Sequence, residues 1–116
     1  MSEINLRELE EISTCEKMCL SIIVDTSDCV LDLNTITERV NTKFNKTWKI
    51  QTVATYLSRM SKKGYIDCSV RIGRYTQFKA LVTKKELLQF EIETITKLYC
   101  NDSISDLRKH MLTIID

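Results

Sequence analysis

The chain has 116 residues, of which 43% are hydrophobic and 28% charged, and it contains two glycines and no proline. A chain of this length can form one compact domain with a short appended element, and this composition indicates a globular protein that leans toward helix rather than disorder. The formal net charge is only +1, no run reaches the roughly eighteen apolar residues of a membrane span, and the acidic N-terminal segment lacks a signal-peptide pattern, so we expect a cytoplasmic protein.

The first predicted helix covers residues 13–24. Ser13 followed by Glu16 is the pattern of a capping box, and apolar residues then recur at helical spacing. Two cysteines share this apolar face. The number of cysteines is odd and no CxxC or CxC pair occurs, so we expect small buried cysteines and neither a disulfide framework nor a metal site. The five are Cys15, Cys19, Cys29, Cys68 and Cys100.

A turn and a second helix are predicted next. Residues 25–34 are rich in Asp, Thr, Ser and Asn, which favour turns. Thr35 and Glu38 then repeat the capping-box pattern, and apolar residues follow one helical turn apart. The second helix is therefore predicted over residues 35–45.

The stretch "TWKIQTVATYLSRMSKKGYI" contains the third predicted helix, over residues 49–62. A helical wheel separates an apolar arc from a polar arc, so one side packs and the other can touch a partner. The apolar arc holds Ile50, Val53, Ala54, Leu57 and Met60, and the polar arc holds Gln51, Thr52, Thr55, Arg59 and Lys62. Lys62 and Lys63 suit the negative end of the helix dipole, and Gly64 ends the helix. Trp48 is expected to pack over the junction of helices two and three.

Positive charge is concentrated around this helix. Residues 46–79 carry eight basic side chains and one acidic one, a net charge of +7, whereas residues 1–45 carry −5 and residues 80–116 carry −1. The basic residues of the segment are Lys46, Lys49, Arg59, Lys62, Lys63, Arg71, Arg74 and Lys79. This distribution is typical of a molecule with one anion-facing side.

A β-hairpin is predicted after Gly64. Ile66, Cys68 and Val70 alternate with polar residues, which is the period of a half-buried strand, "RIGR" forms a turn, and "YTQFKALV" returns as a second strand. Three helices followed by a hairpin indicate a winged helix-turn-helix domain over residues 1–82, an α+β fold that is mainly α. In that fold the third helix enters the DNA major groove and the hairpin, or wing, lies against the backbone.

Two further helices are predicted over residues 83–116, with a break at "CNDS". Their apolar residues exceed what a finished winged domain could cover, so we expect a dimerisation region that pairs two copies of the chain. The alternative is that both helices fold back onto their own domain. The candidate dimerisation residues are Leu88, Ile92, Ile95, Tyr99, Ile104, Leu107, Met111 and Ile114.

Double-stranded DNA is the partner that these features favour. Basic side chains release counterions from DNA, while Gln51 suits adenine and the methyl groups of Thr52 and Thr55 suit thymine. The candidate DNA contacts are Lys46, Lys49, Gln51, Thr52, Thr55, Arg59, Lys62, Arg71, Arg74 and Tyr75. No glycine-rich phosphate loop, paired catalytic carboxylates or Cys-His dyad can be read, so neither an enzyme nor a cofactor is expected.

Two other functions use the same scaffold. The basic face could dock on an acidic protein, or Cys15, Cys19 or Cys100 could act as a thiol or metal switch.

Residues 12–82 resemble the penicillinase repressor (BlaI/MecI/CopY) family of winged-helix transcriptional regulators. The run "WKIQTVATYLSRMSKKGYI" stands beside the family pattern W-x-x-x-T-[VI]-x-T-x-L-x-R-L-x-x-K-G-x-[IVL], and "GRYTQFKALV" matches the family wing, with Phe78 in the aromatic place. The C-terminal part resembles the family only in its pattern of helices.

The resemblance implies a homodimeric repressor on an inverted-repeat operator. It places Gln51, Thr52 and Thr55 on the recognition face, Arg59 near phosphates, and Arg74 and Tyr75 in the wing. Many relatives have proline where this chain has Ile50 and a basic residue where it has Ala54, so one frequent DNA contact is missing.

Repression in this family is lifted by a sensor that triggers proteolysis or by copper binding to a cysteine-rich tail. The sequence ends "RKHMLTIID" without CxC pairs, which argues against copper sensing by such a tail, and no Asn-Phe bond precedes the last helix, where cleavage would be expected. The resemblance therefore still implies a sensor or protease that lifts repression as a partner, without identifying it.

Overall fold

The structure of the chain, a computed structural model, describes residues 9–26 and 30–115. In chain order its elements are α1 (Thr14–Val24), β1 (Val30–Asp32), α2 (Leu33–Phe44), α3 (Ile50–Lys63), β2 (Ile66–Ile72), β3 (Tyr75–Ala80), α4 (Lys84–Tyr99) and α5 (Ile104–Ile115). The chain divides into two compact units, the first ending at Lys84 and the second beginning at Lys85. Within the described ranges, no helix is both long and apolar enough to cross a membrane.

α1 begins where the capping pattern predicted. The Ser13 hydroxyl accepts a hydrogen bond from the Glu16 backbone N–H at 3.2 Å and lies 3.1 Å from the Glu16 carboxylate oxygen, to which it donates. The helix ends at Val24, so the prediction of a helix from Ser13 to Val24 is confirmed. Its buried side chains are Glu16, Cys19, Leu20, Ile22 and Ile23.

α2 begins two residues earlier than predicted, and a strand precedes it. Asp32, not Thr35, closes the N-terminus, because its carboxylate accepts a hydrogen bond from the Thr35 backbone N–H at 2.7 Å. Aspartate is a stronger N-cap than threonine, which explains the choice. The turn predicted over residues 25–34 was wrong at its end: Val30–Asp32 form β1. Cys29 lies outside the described residues.

The sheet has three antiparallel strands in the order β1-β3-β2. The predicted hairpin of β2 and β3 is confirmed, with Ile72 opposite Tyr75 next to its turn. β1 adds to the other side of β3, with Val30 opposite Lys79. A strand of three residues is too short to show an alternating pattern, and its stability comes from a partner far along the chain. This is why sequence periodicity did not reveal it.

A β-bulge interrupts β2. Asp67 lies opposite Lys79 and Val70 opposite Gln77, so β2 has one extra residue between these pairs. The Asp67 carboxylate accepts hydrogen bonds at 2.9 Å from both the backbone N–H and the hydroxyl of Ser69, and these bonds lower the pKa of Asp67. The bulge breaks the predicted alternation: Ile66 is buried but Cys68 is exposed. The side chain of Val70 lies outside the described part.

The core of the first unit lies where α1, α2 and α3 meet the sheet. Its largest fully buried side chains are Leu20, Ile23, Ile36, Leu57, Met60, Ile66, Val40 and Val53. Burial of each such side chain stabilises the fold by roughly 1.5–3 kcal/mol. Three helices around a core, flanked by a hairpin with one added strand, form a winged helix-turn-helix, as the sequence predicted.

The second unit consists of α4 and α5. Two residues with positive φ, Asn101 at 50° and Asp102 at 63°, turn the chain between the helices, at the predicted break. The Thr96 carbonyl oxygen accepts a hydrogen bond from the Asp102 N–H at 3.1 Å. α5 then starts with the Ser103 hydroxyl accepting from the Asp106 N–H at 3.1 Å. Hydrogen bonds thus cap both the C-terminus of α4 and the N-terminus of α5 at this turn.

Candidate nucleic-acid interface

The recognition-type helix α3 has one fully buried face. Val53, Leu57 and Met60 have 0% exposure, and α3 contacts α1, α2 and β2. Rotating α3 about its axis would expose these side chains, at a cost of roughly 1.5–3 kcal/mol for each one. The opposite face of the helix is therefore presented to solvent in one orientation.

The polar face of α3 and the residues just before it form the candidate surface. Six of its seven candidate side chains are exposed and Thr52 is half-buried; the seven are Lys46, Lys49, Gln51, Thr52, Thr55, Arg59 and Lys62. The Thr55 hydroxyl donates to the Gln51 carbonyl oxygen at 2.9 Å. With its proton used in this way, Thr55 offers a methyl group and an acceptor oxygen to a partner.

The N-terminus of α3 departs from a rule that the first two helices follow. Ser13 and Asp32 cap α1 and α2 with side-chain oxygens, whereas Lys49 at the N-cap of α3 makes no side-chain cap hydrogen bond. A lysine here adds positive charge to the positive end of the helix dipole, which is unfavourable by about 0.3–1 kcal/mol. Backbone N–H groups and an ammonium at one helix end suit an anionic group such as a phosphate. Local rules of this kind are most often broken at functional sites.

Asn41 of α2 holds the loop that leads into α3. Its side-chain oxygen accepts from the Trp48 N–H at 3.0 Å, and its side-chain nitrogen donates to the Trp48 carbonyl oxygen at 2.9 Å. The Trp48 ring lies edge-on to Tyr56 with ring centroids 5.2 Å apart, so Trp48 packs at this junction as expected. These contacts position Lys49. Sequence reasoning missed Asn41, because its part depends on the path of a loop with no repeating pattern.

Ile50 does not pack as predicted. It was assigned to the apolar arc of α3, but 44% of it is exposed. A helical wheel gives the direction of a side chain and not the elements that cover it, and Ile50 is the first residue of the helix. An apolar side chain at this place can contact a thymine methyl group.

The two lysines at the C-terminus of α3 have different surroundings. Lys62 is exposed. The Lys63 ammonium donates to the Glu11 carbonyl oxygen at 2.9 Å and lies 3.5 Å from a carboxylate oxygen of Glu16, which is buried. Lys63 thus ties α3 to the N-terminal segment, while Lys62 remains on the candidate surface. As predicted, Gly64 ends the helix, with a φ of 91°.

The wing presents side chains around a two-residue turn. Arg71 and Arg74 are exposed, as are Ile72 at 65% and Tyr75 at 59%. Gly73 occupies the first turn position with a φ of 63°, a conformation that favours glycine. Sequence reasoning selected Arg71, Arg74 and Tyr75 but not Ile72, which the strand pattern alone could not place at an open tip.

The second unit carries an exposed apolar row along α4. Leu88, Ile92, Ile95 and Tyr99 are separated by four, three and four residues, which is the spacing of a coiled-coil seam, and their exposure ranges from 42% to 79%. On α5 the candidate residues Ile104, Met111 and Ile114 are exposed and Leu107 is half-buried. Leu98 and Leu112 are exposed as well, at 66% and 63%.

A comparison with protein families gives a match to the penicillinase repressor model over residues 12–114. The chain belongs to the penicillinase repressor family. It is therefore a DNA-binding transcriptional regulator and not an enzyme. No curated protein matched the chain significantly.

Solved structures share the fold of this penicillinase repressor family member. The hsRosR-S1 complex structure is 14% identical with a TM-score of 0.61, and the match covers 90% of this chain and 88% of that one. The hsRosR-S4 complex is 13% identical with a TM-score of 0.63, covering 91% and 88%. The hsRosR-SG complex is 13% identical with a TM-score of 0.61, covering 91% and 90%. Each likeness extends over both units of the chain.

The cysteines of this family member differ in environment. Burial, with smaller contributions from Cys15 and Glu16, raises the pKa of Cys19 to about 12, and burial also raises the pKa of Cys100. Both thiols are therefore protonated at neutral pH, and a protonated thiol is a poor nucleophile and metal ligand. In residues 9–26 and 30–115, no group of three or more metal-ligating side chains comes together.

Proposed function

We propose that the chain is a repressor that binds an inverted-repeat operator as a homodimer. The observation that carries the proposal is the division of α3: Val53, Leu57 and Met60 on its underside are completely buried, while its polar and cationic face is open. A helix fixed in this way can place the same side chains against the same base edges each time it binds. Because its target is chromosomal DNA, we place the protein in the cytoplasm.

Base reading is assigned to the first two turns of α3. Gln51 can form two hydrogen bonds with one adenine, at its N6 and N7 atoms, and the Thr52 and Thr55 methyl groups can contact thymine methyls. The first turns of a recognition helix are the part that reaches base edges in helix-turn-helix complexes. These three side chains therefore set the operator sequence.

Phosphate contacts surround the reading face. Lys46 and Lys49 lie at one end of α3, Arg59 and Lys62 lie toward its other end, and the wing adds Arg71 and Arg74 with Tyr75. Each phosphate neutralised in B-DNA contributes about −0.9 to the slope of log affinity against log salt. Binding by two protomers should therefore weaken steeply as salt rises.

The second copy is assigned to the exposed apolar row of α4 and the apolar face of α5. The α4 row is self-complementary: in an antiparallel pair, Leu88 meets Tyr99 of the second copy while Ile92 meets Ile95. A two-fold interface of this kind matches two inverted half-sites, which lie about 34–36 Å apart when they are one DNA turn apart. Residues 1–82 would then bind DNA and residues 83–116 would join the subunits.

The test measures affinity against salt with fluorescently labelled genomic fragments from around the chain's own gene. Arg59→Ala should make the slope of log affinity against log salt about 2 less steep for the dimer, because one phosphate contact is lost from each protomer. Thr52→Ala should weaken binding to the preferred fragment at unchanged slope, because a base contact is lost. Lys109→Ala removes an exposed lysine from α5 and serves as the charge-matched control.

Equal binding by all four proteins would refute the assigned contacts. A salt slope near zero with wild-type protein would instead favour the alternative in which the basic face docks on an acidic protein.

A further inference from the structure

The first turn of α3 extends beyond the core that covers the rest of the helix. Ile50 and Gln51 are both exposed, although successive helical residues point about 100° apart. Leu57 points within about 20° of Ile50, because seven residues make almost two turns, yet Leu57 is 0% exposed and Ile50 is 44% exposed. The two side chains thus differ in their height along the helix and not in their direction. Ile50 lies past the end of the core, at the end of α3 to which base reading is assigned.

Ile50 begins an apolar strip at the edge of the polar face. Ala54 lies one turn further along, about 40° around the helix from Ile50, and is half-buried. Its side chain is a single methyl group, so a partner that lies along this edge can approach the helix closely. Gln51 and Thr55, the next residue after each of the two, are exposed and border the strip. A partner that contacts Gln51 and Thr55 therefore also meets Ile50.

The chemistry of isoleucine restricts what Ile50 can contact on DNA. Its side chain has no hydrogen-bond donor or acceptor, so it cannot pair with the polar atoms of base edges or with phosphate oxygens. The one apolar group that the four base pairs present in the major groove is the C5-methyl group of thymine. Contact with that methyl group removes apolar surface of both partners from water, which is favourable. An exposed isoleucine at this place is therefore suited to reading a methyl group.

We infer that Ile50 selects a pyrimidine with a 5-methyl group at one position of each half-site and packs against that methyl group. Thymine carries this group, and 5-methylcytosine carries it at the same ring position. The inference rests on the proposed function, because it adds a specificity-determining residue to the same DNA complex. Loss of the methyl group should weaken binding about fourfold per half-site, the effect of one buried carbon group, and about fifteenfold for the pair.

The experiment uses the full chain and duplexes that carry the inverted repeat selected by the protein from random DNA. Each thymine of a half-site is replaced in turn by deoxyuridine, at both symmetry-related positions together. Uracil lacks only the methyl group, so the hydrogen-bonding pattern of the groove stays as it was. Fluorescence anisotropy gives the affinities of wild type, Ile50→Ala and Ile50→Val. Ile72→Ala, which truncates an exposed isoleucine of the wing, is the matched control.

At one thymine, uracil should weaken binding about fifteenfold for wild type and for Ile72→Ala, but less than about twofold for Ile50→Ala. Ile50→Val is one methylene shorter and should show an intermediate loss. The thymines assigned to Thr52 and Thr55 should keep their uracil losses in Ile50→Ala. When cytosine stands at the position that depends on Ile50, its 5-methylation should strengthen binding by wild type about fifteenfold and leave Ile50→Ala unchanged.

Three results would overturn the inference while leaving the proposed function intact. Uracil could cost wild type and Ile50→Ala the same factor at every thymine, which would mean that Ile50 contacts no methyl group. The selected half-sites could contain no thymine, or 5-methylcytosine could bind wild type no better than cytosine. Failure to select any repeat would instead contradict the proposed function itself.

Discussion

The lysine at the N-cap of α3 should trade stability for DNA affinity. Lys49 has a φ of −78° and a ψ of 157°, close to the ψ values of 165° and 167° at the N-caps Ser13 and Asp32. A serine at position 49 can therefore cap α3 without moving the backbone. Lys49→Ser should raise the free energy of unfolding by about 1 kcal/mol from the cap alone. For a unit of this size, that corresponds to a rise in Tm of about 4–8 °C.

The same change should weaken DNA binding. It removes one ammonium from each protomer, so the slope of log affinity against log salt should become about 2 less steep. The ratio of wild-type affinity to variant affinity should therefore shrink about tenfold between 50 and 200 mM salt. Lys49→Met is the matched control. It removes the charge without adding a cap, so it should lose affinity to the same degree while its Tm rises less than that of Lys49→Ser.

Thermal unfolding by circular dichroism and fluorescence anisotropy over a salt series measure the two effects. The reasoning would be refuted if Lys49→Ser melted at or below the wild-type temperature, since the missing cap would then have no energetic consequence. It would also be refuted if both variants kept the wild-type salt slope, because Lys49 would then contact no phosphate.

Three further changes test separate parts of the structure. Asp32→Ala should lower the free energy of unfolding in urea by about 1 kcal/mol at pH 7, whereas Asp32→Asn should keep most of it. Hydrogen bonds from Thr35 lower the pKa of Asp32 below 3.8 in the folded protein. The stability that depends on the charge of Asp32 is therefore fully present above pH 3.8 and is lost as the pH falls through the lowered pKa of the folded state. A stability advantage of wild type over Asp32→Asn that grew in acid would contradict this sign. Asn41→Ala leaves the Trp48 N–H and carbonyl without their partner, which should lower the free energy of unfolding by about 1–3 kcal/mol. It should also red-shift the fluorescence emission of Trp48, the only tryptophan, whereas the control Thr42→Ala should not. Ile92→Asp should convert the proposed dimer to a monomer in sedimentation experiments, with Lys97→Glu on the same helix as control; a dimeric Ile92→Asp protein would exclude the α4 row as the interface.

Features set by neighbouring residues were predictable from the sequence. The Ser13 cap, the amphipathic α3 and the Gly64 stop depend on contacts within one or two helical turns, and such local rules apply wherever the segment lies. The hairpin follows the same logic, because its turn joins adjacent strands. The winged fold could therefore be predicted from the order of these elements.

Features set by distant residues were not predictable. β1 is held by β3, which lies more than forty residues further along the chain, and its three residues resemble a turn when read alone. The bulge in β2 depends on hydrogen bonds between Asp67 and Ser69 that no alternating pattern reports. At the candidate surface, the polar face of α3 could be predicted from periodicity. The hydrogen bonds between Asn41 and Trp48 and the exposure of Ile50 could not, because they depend on the path of the loop before α3.

Selection of binding sites from random DNA tests the central claim most directly, when wild type is compared with Gln51→Lys. If α3 reads the major groove in two symmetry-related copies, wild type should enrich an inverted repeat. The variant should then change adenine to guanine at one position in each half-site and leave the other positions as they were, since lysine pairs with guanine. An unchanged repeat, or a change in only one half, would contradict the account.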